Sequence, residues 1–326
     1  MNQPNSGIRR PALIISLDLE LHWGVSEHVK APGHPYYVNL HGAREAIPEL
    51  LRLFHERNIH ASWAIVGKLF ARGAADLESY RPAKIPIYKR PGLNNYQITL
   101  RGSEEEDPLH FAPSLIQQIK KTPGQEIATH TFTHYFCGEP GGGTESFIAD
   151  LRAARNIAHR DNITLKSIVF PRNQIRSEYL AVLPRSGIEI YRGNPCGRSY
   201  NPTKNRISKF ASRALRLADS YFNLTGHHFF SWDSICSQYP YNVPSSRFLR
   251  PYNQKFRLLE PYRVSRIVRS LKETAKRGDI FHLWWHPHNF GRNLERNIQT
   301  LEAILDAFDE LQTKYGMQSL NMDEVV

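Results

Sequence analysis

The feature that most constrains this chain is its alternation of short apolar runs with amphipathic stretches, sustained from residue 11 to residue 321. Pro11 to Asp18 (PALIISLD) is a β-branched apolar run that reads as a buried strand, and residues 42–57 follow as a helix with Ala46, Leu50, Leu53 and Phe54 on one side. Ala61 to Val66, Glu126 to His130, Lys166 to Phe170, Ile188 to Tyr191 and Ile280 to Trp285 repeat the strand signal, with a last short strand near 317–321. Helices are expected at 113–121, 145–159, 176–186, near 205–222, at 262–277 and at 293–315, with Thr144 as an N-cap before the second. Strands that alternate with helices imply a mainly parallel sheet, and seven or eight such units favour a closed, distorted (β/α) barrel over an open doubly wound sheet. The prolines and the acidic run of 81–110 read as an excursion, and 193–261 as a long insertion with Pro-rich loops over 239–261. No linker and no internal repeat interrupts the pattern, so one domain over 1–326 is expected.

An apolar content of 40% is ample for a core of this size and excludes a disordered chain. Three cysteines, Cys137, Cys196 and Cys236, give neither a disulfide framework nor a CxxC zinc site. The apolar run that begins at Ala12 is cut off by Asp18 and Glu20, short of the ~7–15 apolar residues of an export signal or the ~20 of a membrane span. The expected location is therefore the cytoplasm, extending to the inner face of a membrane.

The net charge of +11 is unevenly distributed. Residues 192–277 hold 17 basic and 4 acidic side chains, whereas the remainder holds 25 and 27. This basic, aromatic-rich stretch reads either as a solvated face over core aromatics or as a surface for a phosphate-bearing partner. Its helix near 205–222 carries Arg213 and Arg216 beside Ile207, Phe210, Ala214 and Tyr221, a pattern that also suits peripheral contact with an anionic membrane. No helix-turn-helix, RRM or zinc-finger signature accompanies the charge, so a nucleic-acid partner is not expected.

Polar chemistry collects at the C-terminal ends of the expected strands, where parallel barrels build their sites. Asp18-Leu19-Glu20 places two carboxylates on one face of an extended chain. In His130-Thr131-Phe132-Thr133-His134 two imidazoles four apart can share one metal if a helical turn follows the strand. Trp284-Trp285-His286-Pro287-His288 resembles a sugar platform beside an acid–base group, although tryptophans in a late strand also serve as plain core. Phe170-Pro171-Arg172-Asn173-Gln174 adds Arg172, a guanidinium able to orient a carboxylate.

The order SLDLE (16–20), HTFTH (130–134), FPRNQ (170–174) and WWHPH (284–288) resembles the polysaccharide deacetylases, the NodB-like family known as carbohydrate esterase family four, over roughly residues 12–290. The resemblance implies a distorted (β/α) barrel and a divalent metal, usually zinc, that serves hydrolysis of N-acetyl groups on amino sugars. It implies His130 and His134 as metal ligands, Asp18 as catalytic base and Glu20 as third ligand, a division that can be reversed because the family's usual adjacent aspartates are Asp-Leu-Glu here. Arg172 would tether the base, although Pro171 precedes it where the family has arginine first. His286 would be the acid that protonates the leaving amine, with His288 in reserve, and Trp284 and Trp285 would contact the sugar. The family's tryptophan motif has no close match, and Trp232-Asp233 is a candidate for it.

The expected activity is therefore metal-dependent removal of an acetyl or formyl group from an amino sugar. The substrate expected from the basic stretch is a cytoplasmic glycan precursor linked to a nucleotide or a polyprenyl phosphate, read by Arg213 and Arg216. Two alternatives stand beside it: hydrolysis of another non-peptide C–N bond on the same fold, and a non-enzymatic protein that binds glycan or nucleic acid.

Overall fold

The computed structural model describes residues 10–30, 33–195 and 209–326, with side chains in the last stretch from Ala214 onward. Its strands are β1 (Ala12–Leu19), β2 (Ala61–Ile65), β3 (Gln125–Thr129), β4 (Ser167–Ile168), β5 (Ile190–Gly193), β6 (Tyr241–Pro244), β7 (Arg247–Phe248), β8 (Ile280–Trp285) and β9 (Gln318–Leu320). They are hydrogen-bonded in the order β6-β5-β4-β3-β2-β1-β8-β7, with β9 added on β1, and every pair is parallel.

The two ends of this order are one piece of chain. Residues 241–248 pair with β5 through β6 and then with β8 through β7. At the crossover the Ser245 amide donates to Gly193 O and the Ser246 amide to His282 O, both at 2.8–2.9 Å. One continuous strand thus changes neighbours and closes the sheet into a distorted barrel of parallel strands, as expected from the alternation. Pro-rich loops were expected over 239–261; the structure places the closing strand there, because Pro244 and the two serines break the apolar run that would otherwise announce it.

Period-two alternation sorts each strand's side chains. From β1, Leu13, Ile15, Leu17 and Leu19 point outward into the large cluster shared with the helices. Ala12 and Ile14 point inward and join Ala64, Ala128, Val169, Ile190, Val243 and Ile280 in a second cluster. Beyond that plug the inward positions become mostly polar: Ser16 and Asp18 on β1 with Glu20 just past its end, and His282 and Trp284 on β8 with His286 just past its end. The barrel is sealed at one end by aliphatic side chains and left polar at the other, so the site forms where the strands end.

The main covering helices are Tyr37–Glu56, Pro113–Lys121, Thr144–Arg160, Glu260–Arg277 and Leu294–Tyr315. Gly143 rather than Thr144 occupies the N-cap of the third, and Thr144 makes no capping bond. The first begins five residues before the expected start at Gly42, and Gly42 lies inside it for a packing reason: a Cβ there would overlap the backbone of Gly291. That close approach seats the turn Pro287–Phe290, and with it His286 and His288, on the first helix. The stretch 176–186 is split into Ser177–Leu180 and a 3-10 turn at Pro184–Ser186, because a proline cannot continue the helix. No described helix is long and apolar enough to cross a membrane.

The helix Lys209–Asp219 ends in an anchor. Asp219 accepts hydrogen bonds from the amides of Leu224 and Thr225 (both 2.9 Å) and pairs with Arg247 of β7 (3.0 Å). Burial raises the Asp219 pKa, but the Arg247 charge and hydrogen bond outweigh it and hold the carboxyl below its ordinary value. A depressed native pKa contributes stability that is complete above the unfolded value, about 3.9, and is lost as pH falls through the native one. Asp219→Asn should cost about 3–5 kcal/mol, the cost of leaving a buried charge unpaired. Denaturant unfolding at pH 7 and pH 3.5 tests both parts: the difference between wild type and variant should shrink at the lower pH.

Candidate functional site

Glu20 leaves the end of β1 and is followed by Leu21 in the left-handed region (φ 45). Gly24, in the next turn, makes room for it, since a Cβ there would overlap the Glu20 carboxylate. The loop after β3 brings the two imidazoles, with Thr131 (φ 64) and His134 (φ 58) also left-handed. Such conformations persist only where surrounding contacts enforce them. Here Asp150, from the helix Thr144–Arg160, does so: its carboxylate accepts from the Phe132 amide (2.6 Å), the Thr133 hydroxyl (2.6 Å) and the Tyr96 hydroxyl (2.8 Å). The Thr131 hydroxyl accepts from the Tyr135 amide at 2.7 Å and completes the turn.

The result is a buried cluster centred on one oxygen. Glu20 Oε1 lies 2.9 Å from His130 Nε2, 3.3 Å from His134 Nε2 and 3.5 Å from His286 Nε2. Burial would raise the Glu20 pKa, but the charges of His286 and His134 and the hydrogen bonds of His130 and His134 hold it well below the usual carboxylate range. Burial lowers the His130 pKa, which favours the neutral, ligating imidazole. Glu20, His130 and His134 offer donor atoms that all lie within 4.8 Å of one another, and so do Glu20, His286 and His288. Two imidazole nitrogens and a carboxylate oxygen, all buried, form the donor set of a zinc-like divalent ion with positions left open. The residues fit such an ion; in the first set the protein supplies all three ligands from the ends of β1 and β3.

Asp18 is held apart from that cluster. Arg192, from β5, donates Nη1 to Oδ1 (2.6 Å) and Nη2 to Oδ2 (2.7 Å), and also reaches Ser16 Oγ (3.0 Å) and Asn173 Oδ1 (3.1 Å). Its guanidinium lies 4.2 Å from the Trp284 ring centroid. Burial raises the Asp18 pKa, but the charges of Arg192, His130 and His286 bring it below the ordinary value. His286 Nε2 stands 3.8 Å from Asp18 Oδ2. Burial lowers the His286 pKa, but the nearby Glu20 and Asp18 carboxylates raise it past its ordinary value. His288 stacks on His286 at 4.8 Å and is pushed down to about 3, chiefly by burial and then by the His286 charge.

Several expected residues land elsewhere. Arg172 does not hold Asp18: it sits in a left-handed turn after β4 (φ 57), pairs with Glu27 and lies over the Phe136 ring at 4.6 Å. The guanidinium on Asp18 is Arg192, which comes from within a strand and so points into the barrel. Trp285 cannot touch a sugar, because alternation along β8 turns it outward, fully buried against Phe54 and Phe290. Trp284, one residue earlier, faces inward. Trp232 packs on the aliphatic plug that seals the barrel, away from the polar end. Arg216 lines the cleft that opens from His286, while the Arg213 side chain lies outside the described residues. Arg192 and Asp150 carry sequence signals after all: a basic residue at the end of the strand run IEIYRG, and an acid on the helix face defined by Phe147, Leu151 and Ala154.

No family model and no curated protein matches the sequence. Solved structures do. The chain is similar to a provisionally assigned polysaccharide deacetylase from Mycobacterium smegmatis (TM-score 0.58, 12% identity, 100% of this chain and 91% of the other). It is also similar to a GH57-type branching enzyme from the hyperthermophilic archaeon Pyrococcus horikoshii (0.55, 11%, 96% and 69%). A third similar structure is a 4-alpha-glucanotransferase from Thermococcus litoralis (0.53, 12%, 97% and 40%). At these identities the likeness is one of fold, and it bears out the (β/α) barrel to which the four motifs pointed.

The metal-ligand set generates a measurable expectation. Zinc titrated into the metal-free protein should bind at about one ion per chain and raise the Tm, and His130→Ala with His134→Ala should abolish both effects. Asp150→Ala, which touches no proposed ligand side chain, should weaken zinc binding by about 10–100-fold, the usual effect of removing a group that orients ligands. Full zinc occupancy in the double histidine variant, by elemental analysis, would refute the assignment.

Proposed function

We propose that the protein hydrolyses the N-acyl group, acetyl or formyl, of an amino sugar. The observation that carries this reading is the separation of two carboxylates two residues apart: Glu20 sits among imidazoles, and Asp18 is locked on Arg192 beside His286. When bound at Glu20, His130 and His134, a divalent ion supplies Lewis-acid polarisation of the amide carbonyl and a water of lowered pKa.

The chain's own groups handle the protons. Asp18, ionised and immobilised by Arg192, accepts a proton from the water that adds to the acyl carbon. His286, whose pKa the two facing carboxylates raise past its ordinary value, donates a proton to the nitrogen as the C–N bond breaks. An amine leaves only when protonated, so an acid is needed opposite the base. The products are an amine and a carboxylic acid, which loses its proton to solvent. The proton gained by Asp18 returns to His286 across 3.8 Å, and both groups are ready again.

Two of the similar structures carry names of glycosidic-bond enzymes, and the same site can be weighed for that chemistry. Glycoside hydrolysis needs two carboxyl groups about 5–9.5 Å apart, with one of them protonated. Asp18 and Glu20 are both held below the ordinary carboxylate range, and both are engaged by cationic partners. A proton-donating carboxylic acid is therefore missing from this pair, which favours the amide reading.

Acetate or formate release from a panel of N-acetyl and N-formyl hexosamines by the zinc-loaded protein tests the proposal. Asp18→Asn and His286→Ala should each lower kcat by about 10²–10⁴-fold with zinc still bound. Loss of zinc from Asp18→Asn but not from Glu20→Gln would exchange the two carboxylate roles. No release from any N-acyl sugar at full zinc occupancy would end the deacylation reading.

A further inference from the structure

The excursion of residues 81–110 carries none of the metal-ligand set, yet its Asn95 touches both loops that supply those ligands. Asn95 is buried at the start of the short 3-10 turn Asn95–Gln97. Asn94 seats that turn: its side chain accepts from the Tyr96 amide (3.1 Å) and donates to Pro86 O (2.9 Å). The Asn95 side-chain nitrogen donates to Trp23 O (3.1 Å) and to Thr133 O (2.9 Å), and the side-chain oxygen accepts from the Ser26 hydroxyl (2.7 Å). An amide nitrogen has two hydrogens, so both are spent on these two carbonyls.

The two carbonyls belong to the ligand loops. The Trp23 amide donates to Glu20 O at 3.1 Å, which places Trp23 in the turn that Glu20 opens. Thr133 immediately precedes His134. A third loop fixes the clasp itself. Lys68, in the turn Gly67–Phe70 after β2, donates its ammonium to Asn95 O (2.7 Å) and lies over the Trp23 ring at 4.3 Å. The Gly67 and Lys68 amides donate to Thr131 O (2.8 Å) and Phe132 O (2.9 Å), so this turn is tied to the HTFTH segment as well.

Such support matters because the ligand rings have little of their own. Ligating imidazoles usually give their second nitrogen to a carboxylate or carbonyl, which fixes the ring. Here His130 Nδ1 and His134 Nδ1 are buried with no hydrogen-bond partner among the described residues. The 3.3 Å between Glu20 Oε1 and His134 Nε2 therefore depends on how the two loop backbones are held against each other. Asp150 shapes the His130–His134 turn from within, whereas Asn95 is a direct bond between that turn and the Glu20 loop.

We propose that Asn95 is a positioning residue of the metal centre, whose carboxamide, seated by Lys68, sets the spacing between Glu20 and His134. The assignment rests on the ligand set of Glu20, His130 and His134 and is independent of the substrate.

The test uses zinc affinity, measured by competition with a chromophoric chelator, and the visible spectrum of the cobalt-loaded protein, which reports ligand geometry. Asn95→Asp keeps the shape and the bond from Ser26 but loses both donations. It should weaken zinc binding by about 10–100-fold, the usual effect of removing a group that orients ligands, and alter the cobalt spectrum. Leu305→Ala, in the core of the last helix, is the stability control: it should lower the Tm of the metal-free protein without moving the spectrum or the affinity. Wild-type affinity and spectrum in a folded Asn95→Asp would overturn the proposal, as would an equal loss of affinity in Leu305→Ala. If Asn95→Asp does not fold, Ser26→Ala and Lys68→Met decide, since each removes one bond that seats Asn95. Either should weaken zinc binding severalfold, and unchanged affinity in both would overturn the proposal. A wild-type protein that binds neither zinc nor cobalt would sink the ligand set, and the role of Asn95 with it. Wild-type binding that Asn95→Asp retains in full sinks the role of Asn95 alone.

Discussion

The bidentate pair between Arg192 and Asp18 is the interaction around which the polar half of the barrel is organised. It joins β5 to β1 across the interior, and both partners are removed from water. Desolvating two such charges costs several kcal/mol per ion, so the pair contributes little net stability, and the buried Arg192 Nε has no hydrogen-bond partner among the described residues. Ser16 and Asn173 accept from the same guanidinium, His282 meets Ser16 at 2.8 Å, and Trp284 covers the plane. Burial, and then the Arg192 charge, push His282 down to about 3, so it stays neutral beside the arginine and adds no second cation. With Asp18 fixed in this way, the next inward carboxylate, Glu20, is left for the imidazoles.

That division of labour depends on how the strands are filled. A barrel whose inward positions were apolar throughout would have no site, and one polar throughout would have no seal. Here the change falls between Ile14 and Ser16 on β1 and between Ile280 and His282 on β8. The closing strand 241–248 obeys the same division: Val243 joins the aliphatic plug, and Phe248 meets Trp284 at the cleft. Closure by a strand that changes neighbours brings Arg247 and Arg250 to the rim beside β8. The arginines of the cleft are thus a consequence of how the ring is joined.

The parts legible in the sequence were those whose signal is local. Strand periodicity, the Asp-Leu-Glu pair and the HTFTH spacing each depend on a few adjacent residues, and the structure brings Glu20, His130, His134 and His286 to one point. What escaped depends on partners far apart in the chain. Arg192 is 174 residues from Asp18, and nothing near either residue names the other. Trp284 and Trp285 look alike as neighbours, and only the direction of β8 decides which one enters the barrel. Gly42 reads as a helix start until Gly291, on the opposite side of the sequence, is found against it. Arg172 followed the motif order, but the turn after β4 points it to Glu27.

Charge is the clearest case of a sequence quantity that folding redistributes. The basic excess of residues 192–277 suggested one broad cationic surface, yet Arg192, Arg247, Arg263 and Arg266 are all buried. Arg192 neutralises Asp18, Arg247 and Arg266 share Asp219, and Arg263 pairs with Glu260. These side chains act inside the protein as cross-links between elements, where arginine's planar donors satisfy several acceptors at once. What remains for a ligand is therefore smaller and more directed than the total implies. Arg216 and Arg250 border the cleft that opens from His286.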